Sequence, residues 1–349
     1  MAWLTGWQYR KKITIDQTKV DADLSDFPVL VKLTSSNFDF SKALSTGYDI
    51  RFTSSDGETL LKYERERHDQ ANSLAEYWVK VPSVSGTVDT DFYVYYGKSD
   101  ASDGADAANV WDSNFKNVYH LKNATTSTVS DSKGGITGNK KAANEPQEEN
   151  GKVGKAQHFV ASNPDYIEVN NIVSPVVNAG DPFTIEYVAN LDTLTDSGTF
   201  LRTRNAANNA SSTFLLFNVA SGTLYAYANW NESFTISNTI LQETTWYHIV
   251  FVASGKTIRK IYLNGLDDTK SAPNNYNTEI WSAKKTMGYC LQESVNPFDG
   301  ILDEMRVSNS ARSDAWIKAS YNSNFDTLVS YGGEEQPSTH RQASFFEVI

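Results

Sequence analysis

The sequence lacks the residues that covalent cross-linking requires. Its 349 residues include a single cysteine, Cys290, so no intramolecular disulfide can form and the folded state must hold by packing. Cys290 is predicted to be a small buried apolar residue. The sequence also has no apolar run long enough for a membrane-spanning helix. Its first residues lack the apolar stretch of a secretory signal peptide, which predicts a chain made in the cytoplasm.

Positive charge is also scarce. The formal net charge of −11 argues against binding to nucleic acid or to anionic membranes, because both require a basic surface. The five histidines form no H-x-x-x-H pattern, and the sequence contains neither a glycine-rich phosphate loop nor paired cysteines at zinc spacing. We therefore predict a protein that is not an enzyme.

Aromatic residues are abundant. They make up 12% of the chain, with 18 tyrosines and 8 tryptophans, which suits β-rich architecture or surfaces on which sugars stack. Apolar and polar residues alternate in the first 112 residues, as in FPVLVKLT, where Phe27, Val29, Val31 and Leu33 share one face. This alternation predicts short strands and an all-β fold.

Two stretches of the second half predict a two-layer sandwich. In WYHIVFVAS, residues 246–254, both faces are apolar, so this strand is expected to be covered on both sides. The dipeptide Asn264-Gly265 follows another strand, and both residues tolerate the positive φ that a two-residue hairpin requires. The fold class predicted is all-β, with two jelly-roll-like β-sandwich domains and a short C-terminal tail.

The most charged stretch is ERERHD, residues 64–69. On a regular strand Glu64, Glu66 and His68 share a face, which makes a metal or acid–base cluster conceivable. The favoured interpretation is an exposed strand face with alternating charges.

Two family resemblances cover most of the chain. The segments WQYRKKITID, DFPVLVKL, DIRFTSSDGETLLKYERE and DFYVYYGKSDASDGADAANVW resemble, in order and spacing, the bacterial and phage family called domain of unknown function 2341. The later segments GKVGKAQHFVASNPDYIEV, DPFTIEYVANL and TTWYHIVFVASGKTIRKIYLNG resemble the laminin G-like branch of the concanavalin A-like lectin/glucanase superfamily. These resemblances divide the chain into domains at 1–112 and 113–333, followed by a tail at 334–349.

The resemblances imply a function in recognition. The leading hypothesis is a non-enzymatic phage virion protein at the tail or capsid surface, whose lectin-like domain contacts host-surface glycans or other virion proteins. A bacterial cell-surface adhesion module and a divergent glycoside hydrolase are the alternatives. The predicted location is the virion. A homo-oligomer is compatible with the sequence, whereas nucleic-acid binding and membrane insertion are not expected.

Asp303 and Glu304 stand together in FDGILDEMRV, residues 298–307. Glucanases of this superfamily place their catalytic carboxylates on one face of a strand, and a retaining mechanism requires a separation of about 5–5.5 Å. Consecutive residues of a regular strand point to opposite faces. We therefore expect Asp303 to align with Met305 and Val307, and Glu304 to form an ion pair with Arg306, so no catalytic residue is predicted.

Three sets of residues are candidates for binding. Aromatic rings beside amides suit carbohydrate, which points to a ligand-binding set: Tyr225, Tyr227, Asn229, Trp230 and Asn231. Oxygen donors suit a structural calcium ion, for which the metal candidates are Asp131 and Asp303. The apolar end of the tail is predicted to dock on a partner or on its own domain, through Phe345, Phe346, Val348 and Ile349.

Overall fold

A computed structural model describes residues 2–170, 174–178, 180–194, 197–204, 211–218, 222–227, 234–254, 258–272, 285–291 and 294–337. Over these residues the chain is nearly all β, as predicted. Every strand pair has antiparallel register. Within the described ranges, no helix is both long and apolar enough to cross a membrane.

The strands of the first part of the chain and the short strands that follow are β1 Tyr9–Ile15, β2 Leu24–Thr34, β3 Arg51–Ser54, β4 Tyr63–Asp69, β5 Leu74–Val84, β6 Thr90–Tyr96, β7 Phe115–Tyr119, β8 Asn123–Thr125, β9 Thr128–Val129, β10 Gly138–Lys140, β11 Gln147–Asn150, β12 Lys155–Phe159 and β13 Ile167–Glu168. The later strands are β14 Phe183–Leu191, β15 Gly198–Arg204, β16 Ser211–Asn218, β17 Thr223–Tyr227, β18 Thr235–Ser237, β19 Trp246–Ser254, β20 Ile258–Leu263, β21 Leu266–Asp267, β22 Thr269–Ser271, β23 Lys285–Met287, β24 Gly300–Ser308 and β25 Val329–Glu335. The α-helix is α1 Asp314–Asn324, and short 3-10 helices lie at Gln17–Lys19, Phe40–Lys42 and Ala107–Asn109.

The first sandwich packs a sheet of order β25-β1-β6-β3 against a sheet of order β2-β5-β4. The alternating residues of β2 point into its core as predicted, and Phe27, Val29, Val31 and Leu33 are fully buried. Burying a side chain of this size stabilises the fold by about 1.5–3 kcal/mol. The alternation of the sequence is therefore sufficient to orient this strand.

The second sandwich consists of two larger sheets. One has the order β11-β12-β24-β14-β19-β20-β21, with β7 also paired to β24, and the other has the order β22-β18-β17-β16-β15-β23-β13-β10-β9-β8. Strand β19 is buried on both faces as predicted, because Ile317 of α1 packs with Val250 and Val252 on its outer side. The predicted hairpin is confirmed, with φ of 51° at Asn264 and 80° at Gly265. Cys290 is buried, also as predicted.

The end of the chain returns to the first sandwich. Strand β25 pairs with β1, and Ile13 lies opposite Tyr331. Helix α1 begins at its N-cap Ser313 and contacts β2, and the ring of Trp316 lies 4.9 Å from that of Phe27. This differs from the predicted limit at residue 333, which assigned most of this strand to the second domain. The first sandwich thus combines the start and the end of the chain.

The two sandwiches share buried contacts. Phe115 and Val118 of β7 and Val153 all belong to the apolar cluster of the first sandwich, although β7 pairs with β24 of the second. Arg312 also binds Asp112 through two hydrogen bonds, of 2.7 and 2.9 Å. These contacts hold the two sandwiches close together.

Candidate functional site

A β-bulge decides where Asp303 and Glu304 point. Arg306 of β24 lies opposite Glu186 of β14, whereas Asp303 lies opposite Val188, so β24 carries one residue more than its partner between these pairs. Glu304 has a φ of 51°, a left-handed conformation that is rare for glutamate. The extra residue shifts the alternation of side chains by one position.

The expectation that Asp303 shares a face with Met305 and Val307 was therefore wrong. Met305 and Val307 belong to the core of the second sandwich. Asp303 instead accepts a hydrogen bond of 3.0 Å from the backbone N–H of Val153, a residue of the first sandwich's core. Asp303 and Glu304 both lie on the side of β24 that faces the first sandwich. They remain adjacent and do not point apart.

Glu64 and Glu66 of β4 face the same region. The interpretation of ERERHD as an exposed strand face was wrong for these two residues, which are only 5% and 6% exposed. A bulge between Arg65 and Arg67 again shifts the alternation. The third residue of the alternative cluster, His68, lies elsewhere, because its Nδ1 is 2.6 Å from the hydroxyl of Tyr77.

The histidine that lies beside Glu64 and Glu66 is His120 and not His68. Its Nδ1 lies 2.7 Å from Oε1 of Glu304, and its Nε2 lies 3.2 Å from Oε2 of Glu64 and 3.9 Å from Oε2 of Glu66. The imidazole stacks on Trp78 at a centroid distance of 6.1 Å and an interplanar angle of 15°. His120 follows β7, so it joins carboxylates of β4 to a carboxylate of β24. Sequence reasoning missed it because it lies more than 50 residues from either.

Arg306 completes the group. Its guanidinium lies 2.6 Å from Glu304, which confirms the predicted ion pair, and 2.8 Å from Glu186. It also lies over the ring of Trp78, at 4.4 Å from the centroid, a cation–π arrangement. We call Glu64, Glu66, His120, Asp303, Glu304 and Arg306 the interdomain cluster.

Burial and neighbouring charges separate the acids of the interdomain cluster. Burial raises the pKa of Asp303 well above its usual range, and the charge of Glu304 raises it further. Burial also raises the pKa of Glu304, but His120 and Arg306 outweigh this and hold it below its usual value. Burial lowers the pKa of His120, whereas the carboxylates of Glu304, Glu64 and Glu66 outweigh burial and raise it. The pKa values of Asp303 and Glu304 are thus shifted in opposite directions.

Two neighbouring acids whose pKa values are pushed apart are a pattern that glycosidases use. Here, however, Asp303 and Glu304 are both 0% exposed, and Glu304 uses both oxygens to bind His120 and Arg306. A sugar ring has no access to either carboxylate in this arrangement. The interdomain cluster therefore holds the two sandwiches together.

The two predicted metal residues, Asp131 and Asp303, contact different parts of the protein. Asp131 accepts hydrogen bonds from the side chain of Asn117 at 2.9 Å and from the backbone N–H groups of Val118 and Lys133 at 2.8 and 2.9 Å. These bonds anchor the turn after β9, whereas Asp303 belongs to the interdomain cluster. Calcium at either residue stays a prediction.

The predicted carbohydrate residues lie on and after β17. Leu224 and Ala226 belong to the core of the second sandwich, so alternation places Tyr225 between them on the outer face of its sheet. Tyr225 is half-buried, and its ring lies 5.3 Å from that of Phe234. Tyr227 lies in β17, but only its backbone is described. The remaining candidates lie outside the described residues: Asn229, Trp230, Asn231, Phe345, Phe346, Val348 and Ile349.

Comparison with solved structures gives remote similarities. Domain 4 of AbnA, an extracellular arabinanase of Geobacillus stearothermophilus in complex with arabinotriose, is 17% identical with a TM-score of 0.42, over 62% of this chain and 98% of that chain. Trypanosoma rangeli sialidase is 11% identical with a TM-score of 0.46, over 73% of this chain and 43% of its own. The binding domain of botulinum neurotoxin DC is 12% identical with a TM-score of 0.44, over 61% and 52%.

Comparison with protein families is more specific. No curated protein matches the chain. Residues 46–133 match the domain of unknown function DUF2341, and residues 161–318 match the concanavalin A-like lectin/glucanases superfamily. Both families and their order agree with the resemblances read from the sequence. The chain thus carries a domain of unknown function 2341 followed by a concanavalin A-like lectin/glucanase superfamily domain.

Proposed function

We propose that this protein is a non-catalytic recognition protein, whose lectin-like domain binds glycan and is held in a fixed position by the domain before it. The observation that carries the proposal is the complete burial of Asp303 and Glu304. These adjacent acids would be the natural candidates for glycoside hydrolysis, but they are engaged in contacts between the sandwiches. Their burial supports binding over hydrolysis for the domain that matches the concanavalin A-like family.

The outer face of the sheet that contains β17 is the proposed glycan surface. Tyr225 lies on this face and remains partly exposed. Sugar rings stack on aromatic faces, and amides beside them supply directional hydrogen bonds. The predicted residues that surround Tyr225 in sequence have this composition: Tyr227, Asn229, Trp230 and Asn231.

The setting of this recognition is a finer part of the proposal. We infer a phage virion, at the tail or capsid surface, where the partners are other virion proteins and host-surface glycans. A bacterial cell-surface adhesion module is the alternative setting. The order of the two families supports a recognition protein, since a domain without known catalysis precedes a lectin-like one. Mass spectrometry of purified phage particles tests the virion setting, and absence of the chain from them would contradict it.

A glycan array tests the binding function. The wild-type chain is expected to bind a defined group of glycans, and Tyr225→Ala is expected to weaken this binding at least tenfold. The matched control is Tyr48→Ala, which removes a tyrosine that is 39% exposed on the first sandwich and should leave binding unchanged. Equal binding by wild type and Tyr225→Ala would exclude this face as the glycan surface.

One observation favours a second candidate, a divergent glycoside hydrolase. Asp303 and Glu304 lie side by side and their pKa values shift in opposite directions. An opening of the sandwiches would expose both acids. Release of reducing ends from β-glucans by the wild type, abolished in Glu304→Gln, would establish hydrolysis. We expect no release from either protein.

A further inference from the structure

Three buried ligand atoms converge between the sandwiches. Glu64 and Glu66 of β4 and His120 after β7 each offer one such atom, and these atoms all lie within 4.8 Å of one another. Metal–ligand bonds of about 2.0–2.2 Å place the ligands of a tetrahedral ion about 3–4 Å apart. The three groups therefore need only a small adjustment to bind a common ion.

The hydrogen bond to Glu304 orients His120 for this role. A carboxylate accepts, so Nδ1 of His120 donates its hydrogen to Oε1 of Glu304 and the second ring nitrogen is left to face Glu64 and Glu66. A carboxylate on the far nitrogen of a ligating histidine is the arrangement that fixes the imidazole in metal sites. Nε2 of His120 and Oε1 of Glu66 are both buried and make no hydrogen bond.

The other contacts hold the carboxylates without filling the site. The indole N–H of Trp111 and the hydroxyl of Ser132 donate to Glu64 at 3.0 and 2.6 Å. Lys122 donates to Oε2 of Glu66 at 2.8 Å, and Oε1 of Glu66 remains available to bind an ion. Each carboxylate oxygen has two lone-pair positions, so these bonds are compatible with an ion on the histidine side.

We propose that His120, Glu64 and Glu66 bind a divalent transition-metal ion of the zinc class that bridges the two sandwiches. One nitrogen and two carboxylate ligands suit zinc, whereas calcium prefers an all-oxygen shell. The site is thus distinct from the calcium predicted at Asp131 and Asp303. It goes beyond the proposed function and does not depend on it, because the proposed glycan surface is on another face.

The first test is direct binding to the whole protein. The chain is purified without chelator for elemental analysis, then stripped with chelator, dialysed, and titrated separately with zinc, cobalt and calcium chloride. The expected result is one zinc per chain, visible absorption bands on cobalt binding, a higher melting temperature with zinc, and none of these with calcium. Absence of stoichiometric zinc together with an unchanged melting temperature would overturn the proposal, since a proton on His120 then serves in place of the ion.

Variants locate the ion. Glu66→Gln and His120→Asn are expected to abolish stoichiometric zinc binding, and Glu304→Gln to weaken it about 10- to 100-fold through loss of histidine orientation. The matched control is Glu149→Gln, which alters a carboxylate–histidine pair outside the interdomain cluster, where Oε1 of Glu149 and Nδ1 of His158 lie 3.0 Å apart. It should retain zinc. Full zinc binding by Glu66→Gln and His120→Asn would place the ion elsewhere, and the cobalt spectrum of the wild type decides the ligand class even where a variant does not fold.

Discussion

His120 and Glu304 are joined by a 2.7 Å contact between the end of β7 and the bulge of β24. Their contact lies beneath Trp78, against which the imidazole stacks, and next to Glu64 of the first sandwich. A histidine and a carboxylate of the second sandwich thus meet residues of the first. The position of the lectin-like domain depends on this group of buried charges.

Removal of the Glu304 charge should destabilise the protein. In Glu304→Gln, Arg306 loses a counter-charge and His120 loses the carboxylate that accepts its Nδ1–H, while both remain buried, and breaking a buried ion pair costs about 3–5 kcal/mol. The free energy of unfolding from denaturant titration measures this cost. Glu149→Gln, at an exposed contact with His158, serves as the control and should change stability by less than about 1 kcal/mol. Equal stability of the two variants would contradict a structural role for Glu304.

Lys285 should make stability rise with pH in the alkaline range. Burial lowers its pKa to about 8, while in the unfolded chain it titrates near 10.5. Between these values the unfolded state binds more protons, so raising the pH favours the folded state. Relative to Lys285→Met, the wild type should gain up to about 3 kcal/mol from pH 8 to pH 10.5, since each unit of pKa difference corresponds to about 1.4 kcal/mol.

Lys285→Met itself removes the hydrogen bond from Nζ to the carbonyl of Asn170, which is 2.8 Å long. The comparison therefore uses the change of the stability difference with pH and not its value at one pH. Denaturant titrations of both proteins at pH 7, 8, 9 and 10.5 measure this difference in the free energy of unfolding. A difference that stays constant over this range would contradict a lowered pKa.

His158 should act in the opposite direction. Burial lowers its pKa, but the hydrogen bonds to Asp192 and Glu149, of 2.7 and 3.0 Å, outweigh burial and raise it. The charged form thus stabilises the fold below about pH 6.5, and this contribution is lost as the pH rises through the folded pKa. His158→Gln should cost up to about 1 kcal/mol at pH 5.5 and almost nothing at pH 8.5, because the pair is partly exposed. A cost that is the same at both pH values would argue against an ion pair.

Truncation should separate the tail from strand β25. Deletion of residues 337–349 leaves β25 complete, since it ends at Glu335, and Arg10 keeps its 2.7 Å ion pair with that residue. Both sandwiches should remain folded with an unchanged melting temperature, while self-association or attachment to a partner weakens. Light scattering and calorimetry measure the two effects.

Deletion of residues 329–349 is the matching control. It also removes β25 and leaves β1 paired with β6 alone, so the melting temperature should fall. An unchanged assembly state in the shorter deletion would contradict docking by the tail.

The sequence alone determined what depends on neighbours along the chain. Alternation in FPVLVKLT oriented β2, the apolar faces of WYHIVFVAS marked a strand covered on both sides, and Asn264-Gly265 located a hairpin. Each is a local property, because strand orientation follows a period of two and a tight turn follows the φ preferences of two residues. The two family resemblances and their order were likewise readable from short ordered segments.

Only the tertiary structure decided the interdomain cluster. The bulge at Glu304 comes from a one-residue mismatch with a strand more than 100 positions earlier in the chain, and no local pattern encodes such a mismatch. His120 meets Glu64 because β7 pairs with β24 while β4 faces it from the other sandwich. The return of β25 to β1 depends in the same way on pairing across more than 300 residues. The strand pattern predicts that the charged side chains of ERERHD are exposed, but Glu64 and Glu66 are buried because the second domain covers them. Contacts between domains are not encoded in the local sequence.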